Sequence, residues 1–238
     1  MKRDAILACA LVACTAVTAL PGAEGRLIAT TASTHDLRLV SGLAPGIQRG
    51  AITGIRVAGS PQFDQEVERT NGVGMEGGIR YLAGWWMRPH VGWRAGAEVT
   101  ALHSSGEVHD RTSTGAVDPT TTPLEAQILG GAVVLGPVFR IDQETFDYPG
   151  DFAEVEFLAH VGYGQATASN DGRASTTGTA IRYGVEAGLA FTFFPRWQLA
   201  VAAGYSRIQV TGISWGNTDA AELTLGGPTA RLGVGQRF

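Results

Sequence analysis

Apolar and polar residues alternate along most of the chain, and the alternation is clearest in residues 178–210. From Ile181 to Phe193 every second residue is apolar, whereas Arg182 and Glu186 lie among the residues between them. A β-strand places alternate side chains on opposite faces, so this pattern predicts a long strand with one apolar and one polar face. The alternation resumes after a short turn that contains proline, which predicts a hairpin.

A less regular alternation of apolar and polar residues predicts further strands in the rest of the chain. Residues 24–45 show no sustained period, and we expect them to form an irregular N-terminal segment. In residues 123–140 apolar side chains crowd both faces, but the glycines and Pro137 argue against a buried helix there. The predicted strands, eight in all, are residues 46–58, 72–84, 91–101, 123–140, 153–163, 178–193, 197–210 and 229–238.

The connections between these strands alternate between long and short. Loops such as residues 60–71 and 104–122 follow the first and third strands, whereas tight turns follow the second and sixth. Long loops at one end and short turns at the other are typical of bacterial outer-membrane barrels. The sequence therefore predicts an all-β fold, an eight-stranded antiparallel up-and-down transmembrane β-barrel over residues 46–238.

Charges of both signs share the polar faces of the predicted strands. Three Arg/Glu pairs lie four residues apart, and hence on one strand face: Glu76/Arg80, Arg94/Glu98 and Arg182/Glu186. Because charges in a narrow lumen must be paired, this balance favours a polar face turned inward. The predicted lumen charge network comprises Arg56, Glu76, Arg80, Arg94, Glu98, Glu154, Glu156, His160, Arg182, Glu186 and Arg231. The alternative is a soluble lipocalin-like barrel, in which the same charges lie in solvent and the apolar face encloses a ligand.

Aromatic residues gather near the predicted short turns and, in smaller number, near the opposite end. They are Trp85, Trp86, Trp93, Phe191, Phe193, Phe194 and Trp197 at the turns, and Tyr163, Tyr205 and Trp215 at the other end. Two aromatic girdles at the membrane interfaces would give this distribution, although aromatics also cap the cores of soluble barrels.

The first 23 residues have the organisation of a secretory signal peptide. Lys2 and Arg3 precede an apolar run, and small residues follow it. A retained transmembrane helix is the alternative, but the run is short for a bilayer. Cys9 and Cys14 are the two cysteines of the chain, so a processed protein would contain none unless Cys14 were lipidated.

Composition narrows the classes of function. The formal net charge is -4 and no basic stripe is present, so no nucleic-acid partner is expected. The 33 glycines recur at strand spacing and form no phosphate-binding loop. We find no metal-ligand cluster and expect no cofactor.

Taken together, the strand count, the loop rhythm, the Arg/Glu-rich polar face and the terminal Phe238 make residues 46–238 resemble the eight-stranded outer-membrane barrels of the OmpA type. That resemblance implies a location in the outer membrane of a Gram-negative-type envelope, contact with outer-membrane lipid, and recognition of the C-terminal strand by the barrel-assembly machinery. The family usually has an aromatic residue two positions before the final Phe, where this chain has Gln236.

The sequence favours a non-enzymatic role, structural or in surface interaction, carried by the loops at the outer end. A narrow ion path through the lumen is a subsidiary hypothesis. The alternative of a lipid-modifying enzyme depends on His103, Ser104 and Ser105 with His109 and Asp110, since a serine can be activated by a histidine that a carboxylate orients.

Overall fold

The computed structural model describes residues 33–55, 63–67, 74–111, 117–141, 151–170, 173–193, 196–216 and 220–238. These residues form antiparallel β-strands joined by turns. None of the described segments is a helix that could cross a bilayer. The strands are β1 Ser33–Ala44, β2 Gly46–Ile55, β3 Phe63–Val67, β4 Gly74–Arg88, β5 Val91–Arg111, β6 Val117–Ile141, β7 Phe152–Asn170, β8 Arg173–Ala174, β9 Gly178–Phe193, β10 Trp197–Ile213 and β11 Ala220–Arg237.

Eight of these strands close into a ring. The order is β1–β4–β5–β6–β7–β9–β10–β11, and β11 pairs again with β1. Every pairing is antiparallel, with consecutive ring strands running up and down. The predicted fold class is confirmed.

The remaining strands mostly lengthen the ring. β2 continues the direction of β1 beyond Pro45 and pairs with β11, while β3 pairs with β2 and β5. The short β8 pairs only with β7. The described part of the first predicted strand, residues 46–55, is therefore a continuation of the first ring strand and not its membrane portion, and residues 56–58 lie outside the described residues.

The prediction of an irregular segment over residues 24–45 is wrong for residues 33–44, which form β1. Along β1, Leu37 and Leu39 are exposed whereas Asp36 and Arg38 are buried, so the alternation is present but short. The strand is stabilised mainly by long-range pairing, because β4 and β11 flank it on its two sides. The predicted signal peptide, residues 1–23, lies outside the described residues.

The long loop predicted over residues 104–122 is also mostly strand. β5 continues to Arg111 and β6 begins at Val117, with paired residues up to Arg111 and Val117. Within the predicted loop over residues 60–71, β3 occupies Phe63–Val67. The residues of these segments are mainly polar, so they lack the apolar alternation that predicts the other strands.

The two ends of the ring differ. We call the end where β1 starts, where β11 stops and where short turns join β4 to β5 and β9 to β10 the turn end, and the opposite end the loop end. At the loop end, β10 carries a bulge between Val210 and Ile213, and Gly212 adopts a φ of 74° there, in the left-handed region that favours glycine.

Candidate functional site

The outer wall of the ring is apolar over most of its height. Val99 on β5, Val133 on β6 and Val185 on β9 are 56%, 47% and 60% exposed, and all point away from the lumen. A tilted strand needs about 9–11 residues to cross a bilayer, and the apolar positions of β5 run outward-facing from Trp93 to Ala101. The apolar wall and the charged lumen together form the inside-out arrangement of a transmembrane barrel.

Aromatic side chains border this apolar wall at both ends. Trp93, Phe191, Phe193, Trp197 and Phe238 are exposed near the turn end, and Tyr163, Tyr183 and Tyr205 near the loop end. Two of the predicted girdle residues lie elsewhere. Trp86 is buried on the lumen side, and Trp215 is packed in the apolar core at the loop end. Phe194 is outside the described residues.

The structure places all the predicted lumen residues inside the ring except Arg56, which lies outside the described residues. Glu76, Arg80, Arg94, Glu98, Glu154, Glu156, His160, Arg182, Glu186 and Arg231 are all buried. Sequence reasoning left three further buried charges out of the network, Asp36, Arg38 and Arg237. The ionic groups separate into two layers.

The turn-end charge layer is formed by Asp36, Arg38, Arg94, Glu154, Glu156 and Arg237. Arg38 contacts Glu156 at 2.7 Å and Arg94 contacts Asp36 at 2.9 Å. Arg237, next to the last residue, bonds Asp36 at 2.7 Å and Glu154 at 2.6 Å. The layer thus ties β1, β5, β7 and β11 together across the lumen.

The rings of Trp86 and Phe152 cap the lumen on the turn-end side of this layer. The Arg140 guanidinium lies 4.1 Å from the Trp86 ring centre and 4.3 Å from that of Phe152. Arg237 lies 4.8 Å from the Phe152 ring. Arg140 also bonds Glu154 at 3.0 Å, so cation–π contacts and an ion pair hold this cap in place.

The mid-barrel charge layer is formed by Glu76, Arg80, Glu98, Arg182, Glu186 and Arg231. Arg80 contacts Glu98 at 2.7 Å and is also paired with Glu186. Arg231 is paired with Glu76, and its Nη1 lies 2.9 Å from Glu186 and 3.3 Å from Glu98. Each layer contains three acids and three arginines, so each is formally neutral.

His160 lies in register between Glu186 and Arg182 of the mid-barrel charge layer, because it pairs with Gly184 of β9. Its Nε2 is 3.5 Å from the Ser206 hydroxyl, the long limit of a hydrogen bond, and its Nδ1 has no partner within the described structure. A Cβ at Gly184 would lie 2.6 Å from Nε2, so the glycine makes room for the ring. No carboxylate hydrogen-bonds this histidine in the described part of the chain, which leaves it without the orienting group that a catalytic base needs.

Polarity reverses along the strands at one level near the loop end. On the outward face of β6, Val133 and Leu129 are exposed apolar residues, whereas Gln127 and Glu125, closer to the loop end, are exposed polar residues. The inward face changes in the opposite sense, since Ile128 is buried. This reversal explains why the sequence alternation is blurred in β6.

Beyond this level the lumen holds an apolar core, which we call the loop-end core. Ile47, Leu124, Ile213, Leu223 and Leu225 are fully enclosed. The complete cluster is Ala44, Ile47, Ile52, Leu102, Leu124, Ala126, Ile128, Ala166, Ala168, Ala180, Ile208, Val210, Ile213, Trp215, Ala221, Leu223 and Leu225. This part of the ring is built like a soluble barrel, with an apolar interior and a polar exterior. We call it the head.

Backbone and side-chain hydrogen bonds of Ser175 and Thr176 complete the wall of the head beyond the start of β9. Ser175 donates its backbone N–H to Ala168 O at 2.7 Å, and the Ala168 N–H bonds the Ser175 hydroxyl at 2.8 Å. Thr176 donates its N–H to Ser214 O at 2.7 Å, and the Ser214 N–H bonds Thr176 Oγ1 at 3.0 Å. Residues 175–176 therefore bridge β7 to the end of β10.

The lumen contains little free space. One cavity of about 20 Å³ lies between the charge layers beside Arg38, Arg80 and Arg231, and another of about 20 Å³ lies beside Thr100 and Arg182. Each has room for about one water molecule. The soluble ligand-binding alternative does not fit this barrel, because the apolar wall faces outward and buried charges and the loop-end core occupy the described interior.

The residues proposed for a catalytic serine lie on both faces of β5. Ser104 is fully buried in the head and its hydroxyl has no hydrogen-bond partner in the described structure, whereas His103 and Ser105 point to the opposite, outer face. His109 and Asp110 pair with β3 through their backbones, and their side chains are outside the description. No group of His, Cys, Asp and Glu placed to hold a metal occurs in the described residues.

Comparisons with known proteins assign this chain to no family. No family model matches the chain, and no curated protein sequence is significantly similar. Among solved structures, the attachment invasion locus protein Ail of Yersinia pestis is 17% identical, with 87% of this chain and 99% of that chain covered and a TM-score of 0.33. The outer membrane protease OmpT of Escherichia coli is 10% identical, with coverages of 90% and 99% and a TM-score of 0.42. Neisserial surface protein A is 13% identical, with coverages of 84% and 98% and a TM-score of 0.30. With all these TM-scores below 0.5, the function must be argued from this chain's own residues.

Proposed function

We propose that this chain is an integral outer-membrane protein of the OmpA-like, eight-stranded kind, whose sealed barrel carries a rigid head with a structural or surface-interaction role. The observation that carries the proposal is the reversal of polarity along the strands. An apolar belt suits lipid, and the polar exterior of the head suits water. No active-site constellation in the described residues favours an enzyme.

The filled lumen supports a role without transport. A diffusing ion would have to pass the cap at Trp86, both charge layers and the loop-end core. An apolar core excludes ions because they lose their hydration there. The narrow ion path is accordingly the weaker hypothesis.

A bilayer recording tests the sealed lumen. The purified, refolded protein in a planar lipid bilayer is expected to give no conductance steps under conditions in which a general porin does. Regular steps that change when Glu98→Gln is introduced would instead support an ion path through the mid-barrel charge layer.

Labelling of intact cells tests the orientation of the head. Gln127→Cys lies on the exposed outer face of β6 in the head, and Arg196→Cys lies at the exposed turn end. A membrane-impermeant maleimide should label the first in intact cells and the second only after the outer membrane is opened. The reverse pattern would place the head in the periplasm and contradict the proposal.

A further inference from the structure

A groove of about 680 Å³ crosses the apolar outer wall over β6, β7, β9 and β10. Small side chains at Ala159, Ala187 and Ala203 form its floor, while Phe157 and Tyr205 stand beside them. In register, Ala187 pairs with Ala203, so the floor is continuous across β9 and β10. On β7, Phe157 pairs with Ala187, whereas Ala159 pairs with Val185 and lies diagonally beside Ala187.

The groove runs obliquely through the lipid belt. Tyr205 lies in the middle of β10, among the aromatics near the loop end, whereas Trp93 at the other end of the groove is close to the turn-end start of β5. A depression of this kind in a membrane wall must be filled by apolar material, since empty space forfeits dispersion contacts. Its mainly apolar lining suits a hydrocarbon chain.

An arginine lies next to the groove on its loop-end side. Arg207 is the next outward-facing residue of β10 after Tyr205, and its Nε is buried without a hydrogen-bond partner in the described structure. Arg207 pairs in register with Gly226 of β11. It therefore lies at the border where the apolar wall gives way to the polar head.

Two further polar side chains lie beside Arg207 at this border. A Cβ on Gly226 would lie 2.7 Å from Gln48 Oε1, so the Gln48 amide lies against β11 at the glycine that pairs with Arg207. Arg49 is exposed on the outward face of β2 and pairs with Thr224. On β11 the next outward acid is Glu222, on the far side of Thr224 from Gly226.

We propose that the groove and this border form one binding site for an outer-leaflet lipid that bears a phosphate group. Its acyl chain lies over Ala159, Ala187 and Ala203, and its phosphate accepts hydrogen bonds from Arg207, with Gln48 and Arg49 beside it. Guanidinium groups suit this role because they donate in a planar fork that matches phosphate oxygens. The inference rests on the membrane orientation proposed above, and not on what the head binds.

Native mass spectrometry of the full, refolded protein in detergent tests the site. The probe is dimyristoylphosphatidylglycerol, and dimyristoylglycerol supplies the same chains without phosphate. One phosphatidylglycerol should remain bound more tightly than the rest, and the double variant Arg49→Gln, Arg207→Gln should weaken it about tenfold, as expected for the loss of hydrogen bonds to a charged group. Arg196→Gln, an exposed arginine at the turn end, is the matched control and should leave binding unchanged.

The groove is tested separately by filling it. Ala187→Phe should displace the tight lipid, whereas Ala97→Phe, on the outward face of β5 and outside the groove, should not. Equal binding by the double arginine variant and the wild type would overturn the site. Full competition by inorganic phosphate would show a free-anion site and overturn the lipid assignment.

A shift in gel mobility on boiling, measured for each variant, shows that its barrel is folded. If the wild type itself showed no such shift and stayed soluble without detergent, the membrane assignment would fail first. The two failures are therefore distinguishable.

Discussion

Arg231 makes more ionic contacts than the other arginines of the mid-barrel charge layer. It pairs with Glu76, Glu98 and Glu186, which come from β4, β5 and β9. Its side chain is almost completely buried, so these carboxylates could not turn to water if it were removed. The position of the Arg231 guanidinium is therefore fixed by three ion pairs at once.

Replacing Arg231 with methionine should therefore be strongly destabilising. Removing one partner from a buried ionic cluster typically costs about 3–5 kcal/mol, because uncompensated charge stays buried. Urea unfolding of the refolded protein in detergent micelles measures the change, with Arg196→Gln at the exposed turn end as the control. A loss below about 1 kcal/mol would mean that water reaches the lumen freely.

Ser104 gives the opposite expectation. Its hydroxyl is buried in the loop-end core without a partner in the described structure, a situation that typically costs about 1–3 kcal/mol. Ser104→Ala should thus leave unfolding stability unchanged or raise it by about 1 kcal/mol, while Ser105→Ala on the exposed face changes nothing. Loss of a lipid-modifying activity in Ser104→Ala, with the fold intact, would revive the enzyme hypothesis.

At the scale of elements, the outward face of a single strand contacts lipid along one part of its length and water along another. β6 presents Val133 to the lipid belt and Gln127 to the water around the head. The reversal lies between Leu129 and Gln127, within one alternation of the strand. An arginine should therefore have very different effects at the two positions.

Val133→Arg should reduce stability by about 2–4 kcal/mol, the cost typical of a charge near the bilayer midplane on the lipid face of a barrel. Gln127→Arg, on the same face of the same strand, should cost nothing measurable. Unfolding in lipid vesicles measures both. Equal tolerance of the two substitutions would contradict the assigned height of the lipid belt.

The same reversal marks how far the sequence could predict the elements. Where lipid is on one side and charge on the other, as in β9, strict alternation reveals the strand and even its lumen residues. In β6 the apolar Ile128 faces the loop-end core beside the lipid-facing Leu129, so alternation vanishes although the strand is continuous. The girdle prediction is wrong for Trp86 and Trp215 for a related reason, since an aromatic side chain suits an interface, a cap or a core equally well.

At the scale of the whole molecule, ring closure depends on β1, which the sequence pattern did not reveal. Only a few alternating residues mark it, and the charges at Asp36 and Arg38 have their partners on distant strands. Pairing between residues near the two ends of the chain leaves no local signature in sequence. The pairing of β1 with β11 could therefore not be predicted from the sequence pattern.

A disulfide across the seam between β1 and β11 tests the closure of the ring. Leu39 and Val234 are directly paired and both point outward, so Leu39→Cys, Val234→Cys places two thiols at the spacing of cross-strand neighbours, about 4.5–5.5 Å between Cβ atoms. In a chain without Cys9 and Cys14, oxidation should change the mobility of the boiled, unreduced band. Leu39→Cys with Val201→Cys is the control, because Val201 lies on β10, beyond β11. Cross-linking of the control alone would rule out this closure.

Because the seam involves the last strand, the ring can close only after the rest of the chain has been synthesised. β11 pairs with β1 and β10, and Arg237 within it completes the turn-end charge layer through Asp36 and Glu154. Until that segment has been synthesised and delivered, the ring keeps two open strand edges, and the turn-end charge layer lacks one of its three arginines. Such edges readily pair with other chains. We expect a nascent or truncated chain to be bound by periplasmic chaperones and cleaved by proteases. A chain in which β11 has closed the ring should be resistant to both.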